Sequence, residues 1–79
     1  MAGHSDEKTR KLEIGLPYLL KHNQNHENDI RKWIQRAREG RQDEVAADLE
    51  KVLELSEQIS RYFEKALSRL KQGGAPVDD

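Results

Sequence analysis

His22 and His26 are four residues apart, so on a helix their imidazoles leave the same face one turn apart. That spacing suits paired imidazole ligation of zinc, nickel or copper. Asp29 would add a carboxylate on a neighbouring azimuth, and Ser56 or Glu57 would approach from a second helix. In a twofold dimer, four histidines would converge. The same residues also support a structural role. A polar layer of His22, Asn23, His26 and Ser56 within an apolar seam would fix register and partner, at some cost in stability. A histidine held neutral by burial would loosen such a layer on acidification. Ala2-Gly3-His4 offers a separate metal site. With Met1 removed, its amine, two amides and imidazole would suit square-planar copper or nickel.

Other chemistry finds little support. The chain has no cysteine, which excludes disulfides, thiolate metal sites and cysteine nucleophiles. There is no Gly-rich phosphate loop, nucleophile elbow or metalloprotease signature, and a small bundle offers little concavity for catalysis, so no enzyme is expected. Fourteen basic and fifteen acidic residues leave a net charge of −1, which argues against nucleic acid as the partner. The basic cluster Arg31, Lys32, Arg36, Arg38 and Arg41 is expected to pair with Asp43, Glu44, Asp48 and Glu50 rather than with phosphates. No run approaches the roughly 20 apolar residues that span a bilayer, and the first residues lack the apolar core of a signal peptide. A cytoplasmic protein is expected.

The elements that position these residues follow from punctuation and period. Charged residues make up 37% and apolar residues 34%, and the apolar ones recur at helical spacing. Pro17 suits a helix's first turn, and Gly40 suits the left-handed residue that ends one. One helix is therefore predicted over about 17–39. A second follows over about 42–72, with Asp43 and Glu44 at its positive end. Residues 1–16 are expected to be flexible or to form a short helix, and 73–79 a disordered tail.

Leu19, Asn23, His26, Ile30, Trp33 and Ala37 follow alternating steps of four and three, as do Val45, Leu49, Val52, Ser56, Ile59, Phe63, Ala66 and Leu70. These are heptad seams of helices packed side by side. A short connection makes the pair antiparallel. A turn centred on Arg41 sets Ala37 against Val45, Trp33 against Leu49, Leu19 against Phe63 and His26 against Ser56. The expected fold is an all-α two-helix hairpin. A second stripe, Leu20 and Ile34 with Ala46, Leu53 and Leu67, makes the apolar face wider than one partner helix covers. This stripe is assigned to a homodimer interface that builds a four-helix bundle.

The stretch LPYLLKHNQNHENDIRKWIQRAREG, followed by VAADLEKVLELSEQISRYFEKALSRL, resembles a small prokaryotic domain family of unknown function. Its members look like helical hairpins with an H-N-x-x-H element in the first helix and a glycine at the turn. Here these are His22, Asn23 and His26, and Gly40; the similarity covers roughly residues 16 to 70. The resemblance implies a hairpin fold and groups His22, Asn23 and His26, without implying an activity. The functional expectation is an interaction or assembly module, with a transition-metal-binding protein using His22 and His26 as the alternative.

Overall fold

The computed structural model describes the backbone of residues 2–72 and the side chains of residues 7–72. Helix α1 spans Ala2–Glu39 and helix α2 spans Asp43–Lys71. They form an antiparallel hairpin, with no strand among the described residues. The tail expected at 73–79 and the side chains of the Ala2-Gly3-His4 site lie outside the described residues.

Helix α1 starts well before the predicted boundary at 17, and Pro17 lies in its interior. A proline there leaves the carbonyl of Glu13 without its usual amide donor and costs about 3 kcal/mol in an ordinary helix. Pro17 is exposed, so water reaches that carbonyl, and the nearby Leu16, Leu19 and Leu20 are good helix formers. Leu16 and Leu20 on the core side hold the two halves in line against α2.

The turn also differs from expectation by one residue. The N–H of Gln42 donates to the carbonyl of Ala37 at 2.8 Å, and that of Arg41 to Arg38 at 3.0 Å. These are the two bonds of a Schellman motif, in which the left-handed residue is usually glycine. Here it is Arg41, with φ 60°, while Gly40 remains part of the last helical turn. Gln42 then opens α2, its carbonyl accepting the N–H of Ala46 at 2.9 Å. Basic Arg36 and Arg38 end α1, and acidic Asp43 and Glu44 begin α2, as the helix dipoles favour. A non-glycine residue in this conformation costs about 1–2 kcal/mol. Arg41→Gly is therefore expected to stabilise the hairpin by about 1 kcal/mol, read as a raised urea midpoint at fixed protein concentration. A lowered midpoint would contradict this geometry.

The core runs along one stripe of each helix. On α1 it comprises Leu16, Leu20, Asn23, Glu27, Ile30, Ile34 and Ala37, all buried or half-buried. On α2 it comprises Ala46, Leu49, Leu53, Ser56, Ser60, Phe63, Leu67 and Leu70. Steps of three and four are kept throughout, the period of a shallow antiparallel coiled-coil pair. The stripe shares Asn23, Ile30, Ala37, Leu49, Ser56, Phe63 and Leu70 with the predicted seam. Half of the seam moves by one residue, a rotation of each helix by roughly 50°, half of the ~100° per residue of an α-helix. Leu19, Trp33, Val45, Val52 and Ile59, expected inside, are exposed. Leu20, Ile34, Ala46, Leu53 and Leu67, assigned to the dimer interface, lie instead in the hairpin's own core; Ile34 is 5% and Ala46 4% exposed.

The two flanks of this core differ sharply. On one, Arg31 pairs with Glu57 at 3.0 Å and Arg38 pairs with Glu50. These residues follow core positions on both helices. Residues preceding core positions occupy the opposite flank: Leu19, His26 and Trp33 on α1, and Val45, Val52, Ile59 and Ala66 on α2. Apart from His26 these residues are apolar, and all but Ala66 are exposed to solvent. The flank includes a groove of about 680 Å³ lined by Leu16, Leu55, Gln58, Ile59, Tyr62, Phe63 and Ala66.

Candidate functional site

Two polar groupings sit back to back at mid-hairpin, one inside the core and one on the open flank. The inner grouping interrupts the apolar stripe on both helices at the same level. Asn23 and Glu27 are one turn apart on α1, and Ser56 and Ser60 one turn apart on α2. The Asn23 side-chain amide donates its two hydrogens to the Ser56 carbonyl and Ser60 Oγ, both at 2.8 Å, with Glu27 Oε2 a longer shared acceptor at 3.3 Å. The Ser56 hydroxyl donates to Asn23 Oδ1 at 3.1 Å, and the Ser60 hydroxyl donates to Glu27 Oε2. Glu27, Ser56 and Ser60 are each 7% exposed, so the network stands in for water that these groups no longer reach.

Of the expected layer His22, Asn23, His26 and Ser56, the structure unites only Asn23 and Ser56. Glu27 and Ser60 complete it, and sequence reasoning missed both. The signal was present as two gaps. Leu20 and Ile34 are spaced around residue 27, and Leu53 and Leu67 around residue 60, so a stripe with seven-residue steps lacks an apolar member on each helix. The two gaps align only when the helices are rotated as observed.

His22 and His26 form the outer grouping, on the exposed surface. Their Nε2 atoms are 3.1 Å apart, one donating and the other accepting, and their rings meet edge to face with centroids 4.5 Å apart. Tyr18 stacks on His22 one turn earlier, at 5.8 Å and 13°. The i, i+4 spacing thus delivers the paired imidazoles that the sequence suggested, outside the core rather than within it. Asp29 is exposed and lies three residues beyond His26. Among the described residues of one chain, no three or more His, Cys, Asp or Glu side chains gather into a group able to hold a metal.

The basic cluster is only partly paired as expected. Arg38 meets Glu50, but Arg31 donates to Glu57 rather than to Asp43, Glu44 or Asp48. The Arg36 guanidinium lies over the Trp33 ring at 4.6 Å, and the Lys65 ammonium over the Tyr62 ring at 5.0 Å. Trp33 and Tyr62 therefore each have a cation at the edge of the apolar flank. No helix among the described residues is long and apolar enough to cross a membrane.

Residues 12–70 match the domain of unknown function DUF8180, and the chain belongs to that family. The match covers both helices where they face one another. No curated protein and no solved structure gives a match.

Proposed function

We propose that this DUF8180 domain is a cytoplasmic interaction and assembly module, and that its open apolar flank docks onto a second copy to give a four-helix bundle. The family's marks are taken to be prokaryotic occurrence and the His22-Asn23-His26 element. The reading gives the protein no catalytic role.

The observation that carries it is the exposed flank of a hairpin with very little interior. Among the described residues only Ile34 and Ala46 are buried apolar residues, while Leu19, Trp33, Val52, Leu55, Ile59 and Tyr62 are each 43–68% exposed. Two helices of this size bury too little apolar surface to offset chain entropy, and no disulfide assists.

A second copy is favoured over an unrelated partner because the flank is self-complementary, as a twofold interface requires. The bonds from Asn23 and Glu27 to Ser56 and Ser60 put Glu57 level with His26. Leu19 and Trp33 lie seven residues either side of His26. Leu55 and Ile59 lie two residues either side of Glu57, and Val52 and Tyr62 five. A twofold axis at this level, with the turns at opposite ends, lays α1 antiparallel on its copy and α2 on its own. Leu19 then meets the second copy's Trp33, Val52 meets Tyr62, and Leu55 meets Ile59. Apolar residues are matched at every one of these steps.

Sedimentation equilibrium at micromolar concentration is expected to give twice the chain mass. Ile59→Glu, which sets two charges close to the axis, is expected to give the single-chain mass. A wild-type chain that is monomeric and fully helical under these conditions would sink the reading.

A further inference from the structure

We propose that His22 and His26 of one copy, together with Asp29 of the second copy, form a binding site for a divalent transition ion, with two such sites flanking the twofold axis. This rests on the association argued above and names a ligand for the same face.

The paired imidazoles are already spaced as chelating ligands. Two nitrogens bound at 2.0–2.1 Å to one ion are about 3.3 Å apart at the tetrahedral angle and about 2.9 Å apart at a right angle. The observed Nε2–Nε2 separation of 3.1 Å falls between these values. On binding, the donor ring would carry its proton on Nδ1 instead of Nε2, which leaves both Nε2 lone pairs for the ion. Tyr18, stacked on His22, limits that ring's rotation and reduces the ordering needed for binding.

Two imidazoles hold an ion weakly, and no third ligand joins them among the described residues of the single chain. The twofold arrangement supplies one. With the axis level with His26, the stretch from His22 to His26 faces residues 26–30 of the second copy's α1. Asp29 lies within that stretch, seven residues after His22 and so on nearly the same azimuth of the helix. It therefore points toward the same interface as His22. Two imidazoles and one carboxylate leave a coordination position open, a set that suits zinc and other divalent first-row ions. The carboxylate also offsets part of the ion's charge in an otherwise apolar contact.

The test uses the full chain, untagged and with His4→Ala to silence the amino-terminal histidine. Zinc binding is followed by calorimetry, and cobalt(II) binding by its visible spectrum. The proposal expects one ion per chain. His22→Gln with His26→Gln should abolish binding, and Asp29→Asn should weaken it tenfold or more. Sedimentation in chelator runs alongside and should find every variant dimeric. A dimer that binds no zinc or cobalt, or binds it equally well without both histidines, overturns the site and leaves the association standing. Unchanged affinity in Asp29→Asn overturns the sharing of the site between copies. A wild-type chain that is monomeric with and without ion overturns both readings.

Discussion

Asn23→Ala is expected to destabilise the protein by about 3 kcal/mol, several times the cost of an average surface substitution. The change deletes little apolar contact. Its cost comes from the partners left behind: a carboxylate, two hydroxyls and a backbone carbonyl lose the amide that bridged them, at 7% exposure for Glu27, Ser56 and Ser60. Each unsatisfied buried polar group costs about 1–3 kcal/mol, more for a charged one, offset in part where water enters the space Asn23 vacates. Replacing the whole layer should act in the opposite sense. Asn23→Leu and Glu27→Leu with Ser56→Ala and Ser60→Ala would continue the apolar stripe, and replacing hydrogen-bonded partners together by apolar groups is commonly near neutral or stabilising. The layer's contribution then shows as specificity. The all-apolar variant is expected to populate more than one register or association state, visible as surplus amide resonances or a broadened mass distribution. Urea denaturation at fixed protein concentration measures the first effect. A loss below about 0.5 kcal/mol for Asn23→Ala would mean that the network does not bridge the helices.

Two neighbouring residues should respond in opposite ways. Ile34→Ala, at a side chain 5% exposed between the helices, is expected to cost about 2–4 kcal/mol of folding stability. Trp33→Ala, at a side chain 56% exposed on the open flank, is expected to leave helicity nearly intact and to weaken self-association. A central aromatic at an interface contributes about 2 kcal/mol or more, roughly thirtyfold in dissociation constant. Because each twofold dimer contains this contact twice, the observed loss should exceed that figure. Circular dichroism of the folded fraction and sedimentation velocity separate the two effects. If Trp33→Ala unfolds the chain while Ile34→Ala is mild, the helices are rotated to the alternative seam.

That pair of substitutions marks the limit of what periodicity conveys. Leu19, Trp33, Val52 and Ile59 form one heptad stripe, and Leu20, Ile34, Leu53 and Leu67 form the stripe beside it. Both fit steps of three and four, and both share Asn23, Ile30, Leu49 and Ser56. Apolar content favours neither. The structure chooses the second, and three contacts account for the choice. In that rotation Asn23 and Glu27 close a network with Ser56 and Ser60. Arg31 and Arg38 reach Glu57 and Glu50 along one flank. The bulky indole of Trp33 stays outside a seam that narrows to Ala37 and Ala46 near the turn. The same rotation moves His22 and His26 from the core to the surface, which changes them from elements of register into candidates for binding.

By itself, the sequence determined the class of fold, the two helices, their antiparallel pairing and the approximate position of the turn. Those follow from local propensity and period, which each segment expresses without reference to the other. It also determined that His22 and His26 share a face, since i, i+4 geometry is internal to one helix. Only the tertiary structure decided which stripe faces inward, which polar residues form the layer, and which residue takes the left-handed conformation at the turn. It also decided that α1 continues through Pro17. Each of these depends on energies shared between the two helices: hydrogen bonds that close only in one rotation, packing that offsets a proline's missing donor, and a chain reversal whose geometry assigns the strain to Arg41 rather than Gly40.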